Sequence, residues 1–356
     1  MRVLHVAETI KGGVATVLNE LTKHQRANLS DKIDILIPEE QKEEVISNDD
    51  NYFFIRKKRS ISALLNLLKI YKVLIKKNKY DIIHIHSTFA GVVCRLYNIL
   101  TLNRTKIIYC PHAFSFLMVT SNFKRKAYIA IESILAYKTK YIICVSEYER
   151  KMALSVGLPE SKLIRIYNGI EYESRDKAKL TGRGTQKFLF VGRFDYQKGF
   201  DLLINACKKI SNINNDIKFT IIGSFVTEIG KEINISDINN ITIKTWMKKE
   251  ELSQEYLEND ILIMPSRWEG FAMVPIEAFK FGMPVIASNN TAFPEIIDEG
   301  INGLLFENQS LESLIDKILK IKDLDIDYLS ISARKKYEEN YISTLMNEEV
   351  LKLYYD

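Results

Sequence analysis

The sequence predicts an α/β protein built as two doubly wound, parallel-sheet domains. Short apolar runs alternate with amphipathic helical stretches along nearly the whole chain, the pattern of a parallel sheet covered on both faces. The 356 residues are long for one such domain and comfortable for two. Formal charge is also divided between halves. Residues 1–170 hold 27 Lys+Arg against 15 Asp+Glu, a net +12, and residues 171–356 hold 23 against 30, a net −7. That asymmetry points to an anionic partner for the first half.

In the first half VLHVA, IDILIP, DIIHIH, KIIYCP and YIICVS read as buried strands. ATVLNELTKHQ, SALLNLLKIYKVLIKK and RKAYIAIESILAYKT carry the helical period between them. IRIYNGIEY follows, with an Asn-Gly turn signal, and then the polar stretch ESRDKAKLTGRGTQ, which reads as a linker. The second half repeats the pattern. KFLFVG, IKFTIIG, ITIKTW, ILIMPS and PVIAS are strands; GFDLLINACKKI, EELSQEYLEN, VPIEAFKFG and LESLIDKILKI are helices, and TLMNEEVLKLYYD is a closing helix. No fixed-period repeat suggests a solenoid. A cleft between the two domains is expected.

At 46% apolar and 27% charged, the composition is that of an ordinary globular protein. Four scattered cysteines have neither metal nor redox spacing and read as reduced packing residues of a cytoplasmic protein. The opening MRVLHVAETIKGG is a strand running into a glycine loop, not the apolar core of a signal peptide. No run of 18 uncharged apolar residues is present to span a bilayer.

Four stretches carry chemistry. In PSRWEGFAMVPIEAFKFGMPVIAS, Glu269 falls on a loop after a strand and Glu277 in the first turns of the next helix. Pro275 suits that helix's first turn and Gly282 the residue just past its end. The backbone N–H groups of Phe271, Ala272, Met273 and Val274 lie at the helix start, where an anion is favoured. In VGRFDYQKGFDLLI, Arg193 and Lys198 flank another helix start after a strand, which suits a diphosphate. Carboxylates beside a phosphate site make sense as acceptors for vicinal hydroxyls. A nucleotide sugar offers both a diphosphate and diols. In VAETIKGGVATVL, Gly12 and Gly13 read equally as a tight turn or as a loop allowing close approach of a ligand. In YCPHAFSF, His112 follows a strand's carboxyl end; alone, such a residue is more often structural than catalytic. His84 and His86 alternate with isoleucines and read as packing or supporting residues. No His, Cys or acidic cluster has metal-ligand spacing, so no metal site is expected.

The combination GRFDYQKG, EGFAMVPIEA and FGMPVIAS with the following PEII and NG resembles the retaining glycosyltransferases of family 4. The resemblance covers nearly the whole chain and is strongest over about residues 188–308. More loosely, GGVATVLNEL, HIHSTFAG, PHAFSF and VSEYER look like enzymes of bacterial surface-polysaccharide assembly. It implies the GT-B fold, two Rossmann-like domains facing across a cleft. It implies an acceptor- and membrane-facing domain over 1–170, a linker over 171–186 and a nucleotide-sugar-binding domain over 187–340. A C-terminal helix over 341–356 would pack back toward the first domain. Arg193 and Lys198 would bind the donor diphosphate, Glu277 the ribose hydroxyls and Glu269 the transferred sugar. His112 would sit near the anomeric centre, and Gly13 would let the first loop close over the phosphates. The donor would be a UDP-sugar used as co-substrate, with no cofactor and no divalent metal. Two positions depart from the family pattern: Ala272 stands where glycine is common, and Glu171 where aspartate usually follows Asn-Gly.

The stretch IRKKRSISALLNLLKIYKVLIKKNKY carries nine Lys and Arg beside an apolar stripe. That is the composition of a helix lying on an anionic leaflet, though it also fits an ordinary amphipathic helix with a solvated basic face. NFKRKAYIAIESILAYKTK has the same character. With the net +12, the expectation is peripheral contact with the inner face of the cytoplasmic membrane and a lipid-linked saccharide acceptor for O-antigen, capsule or exopolysaccharide synthesis. A sugar-nucleotide epimerase of the same architecture is the nearest alternative, and a non-catalytic nucleotide-sugar-binding protein the other. No nucleic-acid-binding module is present to make use of the basic half.

Overall fold

The computed structural model describes residues 1–28, 32–46, 50–173, 186–225 and 238–356. Residues 174–185, most of the expected linker, lie outside the described residues. The chain divides into two units, one formed by Met1–Glu171 with Ile342–Asp356 and the other by Tyr172–Tyr341.

The first unit holds strands β1 (Arg2–Ala7), β2 (Lys32–Pro38), β3 (Asn51–Phe54), β4 (Ile82–His86), β5 (Lys106–Cys110), β6 (Tyr141–Cys144) and β7 (Leu163–Arg165). They form one sheet in the order β3-β2-β1-β4-β5-β6-β7, with every pair parallel. Helices α1 (Gly13–Asn28), α2 (Ile61–Lys77), α3 (Thr88–Leu100), α4 (Asn122–Ala136) and α5 (Glu147–Ser155) make the crossovers. Serine side chains cap three of them: Ser60 accepts from the Ala63 N–H, Ser121 from Lys124 and Ser146 from Glu149. Each satisfies one otherwise unpartnered donor of a first turn.

The second unit holds β8 (Gln186–Val191), β9 (Ile217–Ile222), β10 (Ile241–Lys244), β11 (Ile261–Met264), β12 (Val285–Ser288) and β13 (Gly303–Phe306). Their order is β10-β9-β8-β11-β12-β13, again all parallel. Its helices are α6 (Phe200–Ser211), α7 (Lys249–Glu258), α8 (Met273–Lys280), the single-turn α9 (Phe293–Ile296), α10 (Leu311–Lys320) and α11 (Ile326–Asn340). The last helix, α12 (Ser343–Tyr355), belongs to the first unit, where it packs on α1. The chain re-enters that unit beside Gly169. A Cβ there would stand 2.7 Å from the Ile342 carbonyl oxygen, so the close approach of the two backbones needs glycine. A parallel bridge between Ile170 and Ile342 completes the contact.

Both sheets reverse their winding next to the first strand of their unit, between β1 and β4 and between β8 and β11. Loops leaving the carboxyl ends of those strands diverge and leave room for a ligand. β4 and β11 are buried at every residue, as strands covered on both faces must be. All four cysteines are free and buried. No described helix is long and apolar enough to cross a membrane.

Two clamps fix the loops at these carboxyl ends. In the first unit the buried Glu149 carboxylate accepts from the N–H groups of Val145 (2.8 Å), Ala113 (3.1 Å) and Phe114 (3.0 Å), tying the loop after β5 to the start of α5. In the second, Gly199 has φ +67° at the N-cap of α6, and a Cβ there would fall 2.0 Å from the Pro265 carbonyl oxygen. The loop after β8 thus seats directly on the loop after β11.

Gly199→Ala is expected to destabilise the second unit by at least ~1–3 kcal/mol, the cost of a non-glycine residue held at positive φ, with the clash added; thermal unfolding measures it. For Glu149, desolvation outweighs the three N–H donors and pushes the carboxyl up from 4.5 to about 7. Its contribution to stability is therefore full below 4.5 and lost as pH rises to about 7. Glu149→Gln, which cannot ionise, should gain roughly 3 kcal/mol of stability relative to the parent chain between those limits. Denaturant titrations across that range would show it, and a constant difference would count against it.

Candidate active site

The sequence-selected residues of the second unit gather at the carboxyl ends of β8 and β11. Lys198, on the loop after β8, places Nζ 2.6 Å from Oε1 of Glu269, on the loop after β11. Both side chains are largely buried, at 16% and 10% exposure, so the pair is shielded from water and screened little by salt. The Lys198 charge also reaches Glu277, with those of Lys249 and Lys280. Glu277 lies in α8, accepts 2.9 Å from the Tyr256 hydroxyl of α7, and has its pKa raised by burial. The two glutamates thus share one cationic neighbour. Arg193 is half-exposed; its Nε pairs with Asp195 at 3.0 Å and its Nη2 donates to the Gln197 side chain at 2.9 Å.

α8 begins at Met273 with Ala272 at its N-cap, and no side chain caps it. Met273 and Val274 are its first residues, so their N–H groups have no acceptor within the helix. Phe271, Ala272 and Met273 are buried, Val274 half-buried. Pro275 falls in the first turn, and Gly282 has φ +65° just past the end. Ala272 has extended backbone at φ −81°, which alanine adopts without strain, so the departure from glycine costs nothing there.

Contacts invisible in sequence spacing hold these loops. Arg267 makes a bidentate pair with Asp201 (2.7 and 2.8 Å), donates to the Tyr196 carbonyl at 2.7 Å and stacks over the Tyr196 ring at 3.7 Å. Its own N–H donates to the Gln197 carbonyl at 2.8 Å. The Glu269 N–H donates to Thr291 Oγ1 at 3.2 Å, and Thr291 itself sits at φ +50°. These partners fix the backbone that carries Lys198 and Glu269.

In the first unit Gly13 opens α1, after Gly12 at φ +77°. His112 follows β5 at φ +52°, Ala113 at φ +108°, and Ser87, after β4, at φ +77°. Left-handed backbone is costly for such residues and collects at functional sites. Five of the six described non-glycine residues with positive φ (these three, Thr291 and Gln309) lie within three residues of a strand's carboxyl end. Burial lowers His112 to about 4, so its imidazole is neutral at pH 7. It does not stand alone: His86 Nδ1 is 3.0 Å from His112 Nε2, and His5 Nδ1 is 3.0 Å from His86 Nε2. His5, His84 and His86 are fully buried, with ligand atoms within 4.8 Å of one another, a cluster that linear spacing did not announce. At the end of β1, the buried Glu8 carboxylate is held by Arg56 (2.7 Å) and Arg59 (3.3 Å).

Comparison with known proteins places the chain. The family model described as Glycosyltransferase Family 4 matches residues 11–174, and that described as Glycosyl transferases group 1 matches 173–341. A 41.2 kDa protein in the cps region of Klebsiella pneumoniae is 38% identical over 89% of this chain and 88% of its own length. The UDP-Gal:alpha-D-GlcNAc-diphosphoundecaprenol alpha-1,3-galactosyltransferase of Escherichia coli is 24% identical over 83% of this chain and 80% of its own. Among solved structures, that of Anabaena HepE in complex with UDP-glucose superimposes with a TM-score of 0.80 at 16% identity, covering 99% of each chain. The chain belongs to glycosyltransferase family 4 and carries its GT-B fold.

Proposed function

We propose that the chain moves a sugar from a UDP-sugar to a lipid-linked saccharide during surface-polysaccharide assembly, with retention of anomeric configuration and without a divalent metal. The observation that carries this reading is the Lys198–Glu269 pair at 2.6 Å with Glu277 under the same charge. A cation and two carboxylates on the loops beside a switch point suit a ligand that is anionic at one end and rich in hydroxyls at the other. An incoming diphosphate competes with Glu269 for Lys198. Glu269, released, accepts from hydroxyls of the transferred sugar, while Glu277, oriented by Tyr256, accepts from the ribose diol. Arg193 and the open N–H groups at the start of α8 add donors for the phosphates. As the C–O bond to the diphosphate breaks, negative charge grows on the leaving oxygen, where these groups stabilise it. His112 serves the transferred sugar from the first unit. The UDP-glucose complex of the fold relative and the diphosphoundecaprenol acceptor named for the E. coli relative support the choice of donor and acceptor classes.

Peripheral membrane contact has its own support in the first unit. α3 packs against both α2 and α4. Exposed apolar side chains stand among the basic residues of these helices: Ile61 (78% exposed) and Leu65 on α2, Phe123 (82%) and Ile134 on α4. Such a mixed apolar and basic surface suits an anionic leaflet.

Glu277→Ala is expected to weaken UDP-sugar binding about 10- to 100-fold, since it removes a charged acceptor; calorimetric titration measures it. His112→Ala is expected to lower kcat by roughly 10²–10³-fold with donor affinity nearly unchanged, read from release of nucleoside diphosphate. The reverse pattern would overturn both roles. The protein is also expected to sediment with phosphatidylglycerol vesicles at low salt and to stay in solution with phosphatidylcholine vesicles; equal behaviour with both would remove the membrane assignment.

A further inference from the structure

Burial lowers His5 and His112 to about 4, and His84 and His86 well below 6.5. Each ring is therefore neutral at pH 7 and owns one N–H. That single proton makes the hydrogen-bond chain directional. At its inner end the Gln25 amide nitrogen donates to the Tyr354 hydroxyl at 3.2 Å, and Gln25 Oε1 lies 2.8 Å from His5 Nε2. An amide oxygen only accepts, so His5 carries its proton on Nε2. Its bare Nδ1 then accepts from His86 Nε2 at 3.0 Å, and the bare Nδ1 of His86 accepts from His112 Nε2 at 3.0 Å. The proton of His112 is thus committed to His86, and its Nδ1, which has no partner among the described residues, keeps a free lone pair. A side branch agrees. The Tyr354 hydroxyl, having accepted from Gln25, donates to His84 Nδ1 at 2.7 Å, which puts the His84 proton on Nε2. Nε2 of His84 has no hydrogen-bond partner among the described residues, and His84 lines a small cavity together with His86 and His112.

A metal ion fits the cluster less well. His5 Nδ1 and His86 Nε2 face each other at 3.0 Å between rings only 17° from parallel. Two imidazole nitrogens on a tetrahedral zinc ion stand about 3.4 Å apart, with their lone pairs converging on the ion and not on each other.

We propose that Gln25, His5 and His86 are positioning residues that hold His112 as the Nε2–H tautomer, so that it meets the transferred sugar as a hydrogen-bond acceptor through Nδ1. The tautomer rests on the geometry of the first unit alone; the sugar contact rests on the function proposed above. A hydroxyl that donates to Nδ1 gains negative charge on its oxygen, which favours a cationic anomeric carbon beside it.

The test is a long-range ¹H–¹⁵N correlation spectrum of the full-length protein labelled with ¹⁵N-histidine, with His112→Ala to assign the signals. The expected wild-type spectrum shows His112 Nε2 protonated and Nδ1 bare, and UDP-glucose at saturating concentration shifts the Nδ1 resonance. Gln25→Met removes the acceptor at the inner end. The chain is then free to reverse, His112 Nδ1–H becomes populated, and kcat falls at least about tenfold with donor KM unchanged, as when a catalytic imidazole is left in the wrong tautomer. Tyr354→Phe, which leaves the Gln25 acceptor in place but removes its anchor and the donor to His84 Nδ1, gives a smaller change in the same direction and guards against misfolding of the first variant. A wild-type His112 protonated on Nδ1, or a tautomer unmoved by both variants, would overturn the relay. Binding of UDP-glucose with no response at Nδ1 would overturn the sugar contact and leave the relay standing. Failure of UDP-glucose to bind would count against the donor assignment and not against the tautomer.

Discussion

Within each sheet every strand runs parallel to its neighbours, and this constraint decides where the chemistry of each unit collects. Parallel neighbours cannot be joined by a tight turn, so each strand must be followed by a crossover that leaves from its carboxyl end. The loops that bear function then emerge on one edge of each sheet. In the second unit that edge holds Lys198, Glu269 and, one turn into α8, Glu277. In the first it holds Glu8, Ser87 and His112.

Bringing such groups together is costly, and the structure shows how the cost is met. Lys198 and Glu269 are each taken largely out of water, where an unpaired charge would be strongly disfavoured; paired, each neutralises the other. The residues in left-handed backbone are held by bonds from elsewhere in the fold. Ala113 is fixed by the Glu149 carboxylate, and Thr291 accepts from the N–H of Glu269 itself. These bonds hold the loop geometry without any ligand.

The α/β class, most of the strands and the grouping of Lys198, Glu269 and Glu277 were legible in the sequence, because each has a local signature. ILIMPS and PVIAS are uninterrupted apolar runs, and Pro275 and Gly282 bracket a helix whatever surrounds it. The missed elements lack such marks. β3 is the four-residue NYFF with one face exposed, and β13 lies within GLLF directly after a turn. α3 carries polar Arg95 and Asn98 on its buried side, where they find partners in Glu132 and Tyr71, so its period is blurred. α5 (EYERKMALS) and α11 (IDYLSISARKKYEEN) are too rich in charged and polar residues to stand out from the loops beside them. Ser146-x-x-Glu149 spells a capping box, but the carboxylate accepts instead from the Val145 N–H and from N–H groups 35 and 36 residues earlier. The histidine chain was hidden for another reason. Strand pairing sets His5 beside His84, and His86 beside Ala7 and Cys110, across gaps of tens of residues. Alternation within DIIHIH reports only that two histidines share a face.

One consequence lies in the order of synthesis. The amino-terminal unit is discontinuous: its last helix is made only after all of Tyr172–Tyr341. Tyr354, which fills a buried place between Gln25 and His84, belongs to that late helix. A ribosome that has finished residues 1–171 has therefore not yet supplied everything this unit needs, whereas the uninterrupted second unit has all of its residues earlier than its predecessor does. The usual rule that nascent domains mature from the amino terminus inward is turned around here, and a nascent chain stalled before α12 would expose the apolar flank of α1 to the cell's chaperones and proteases.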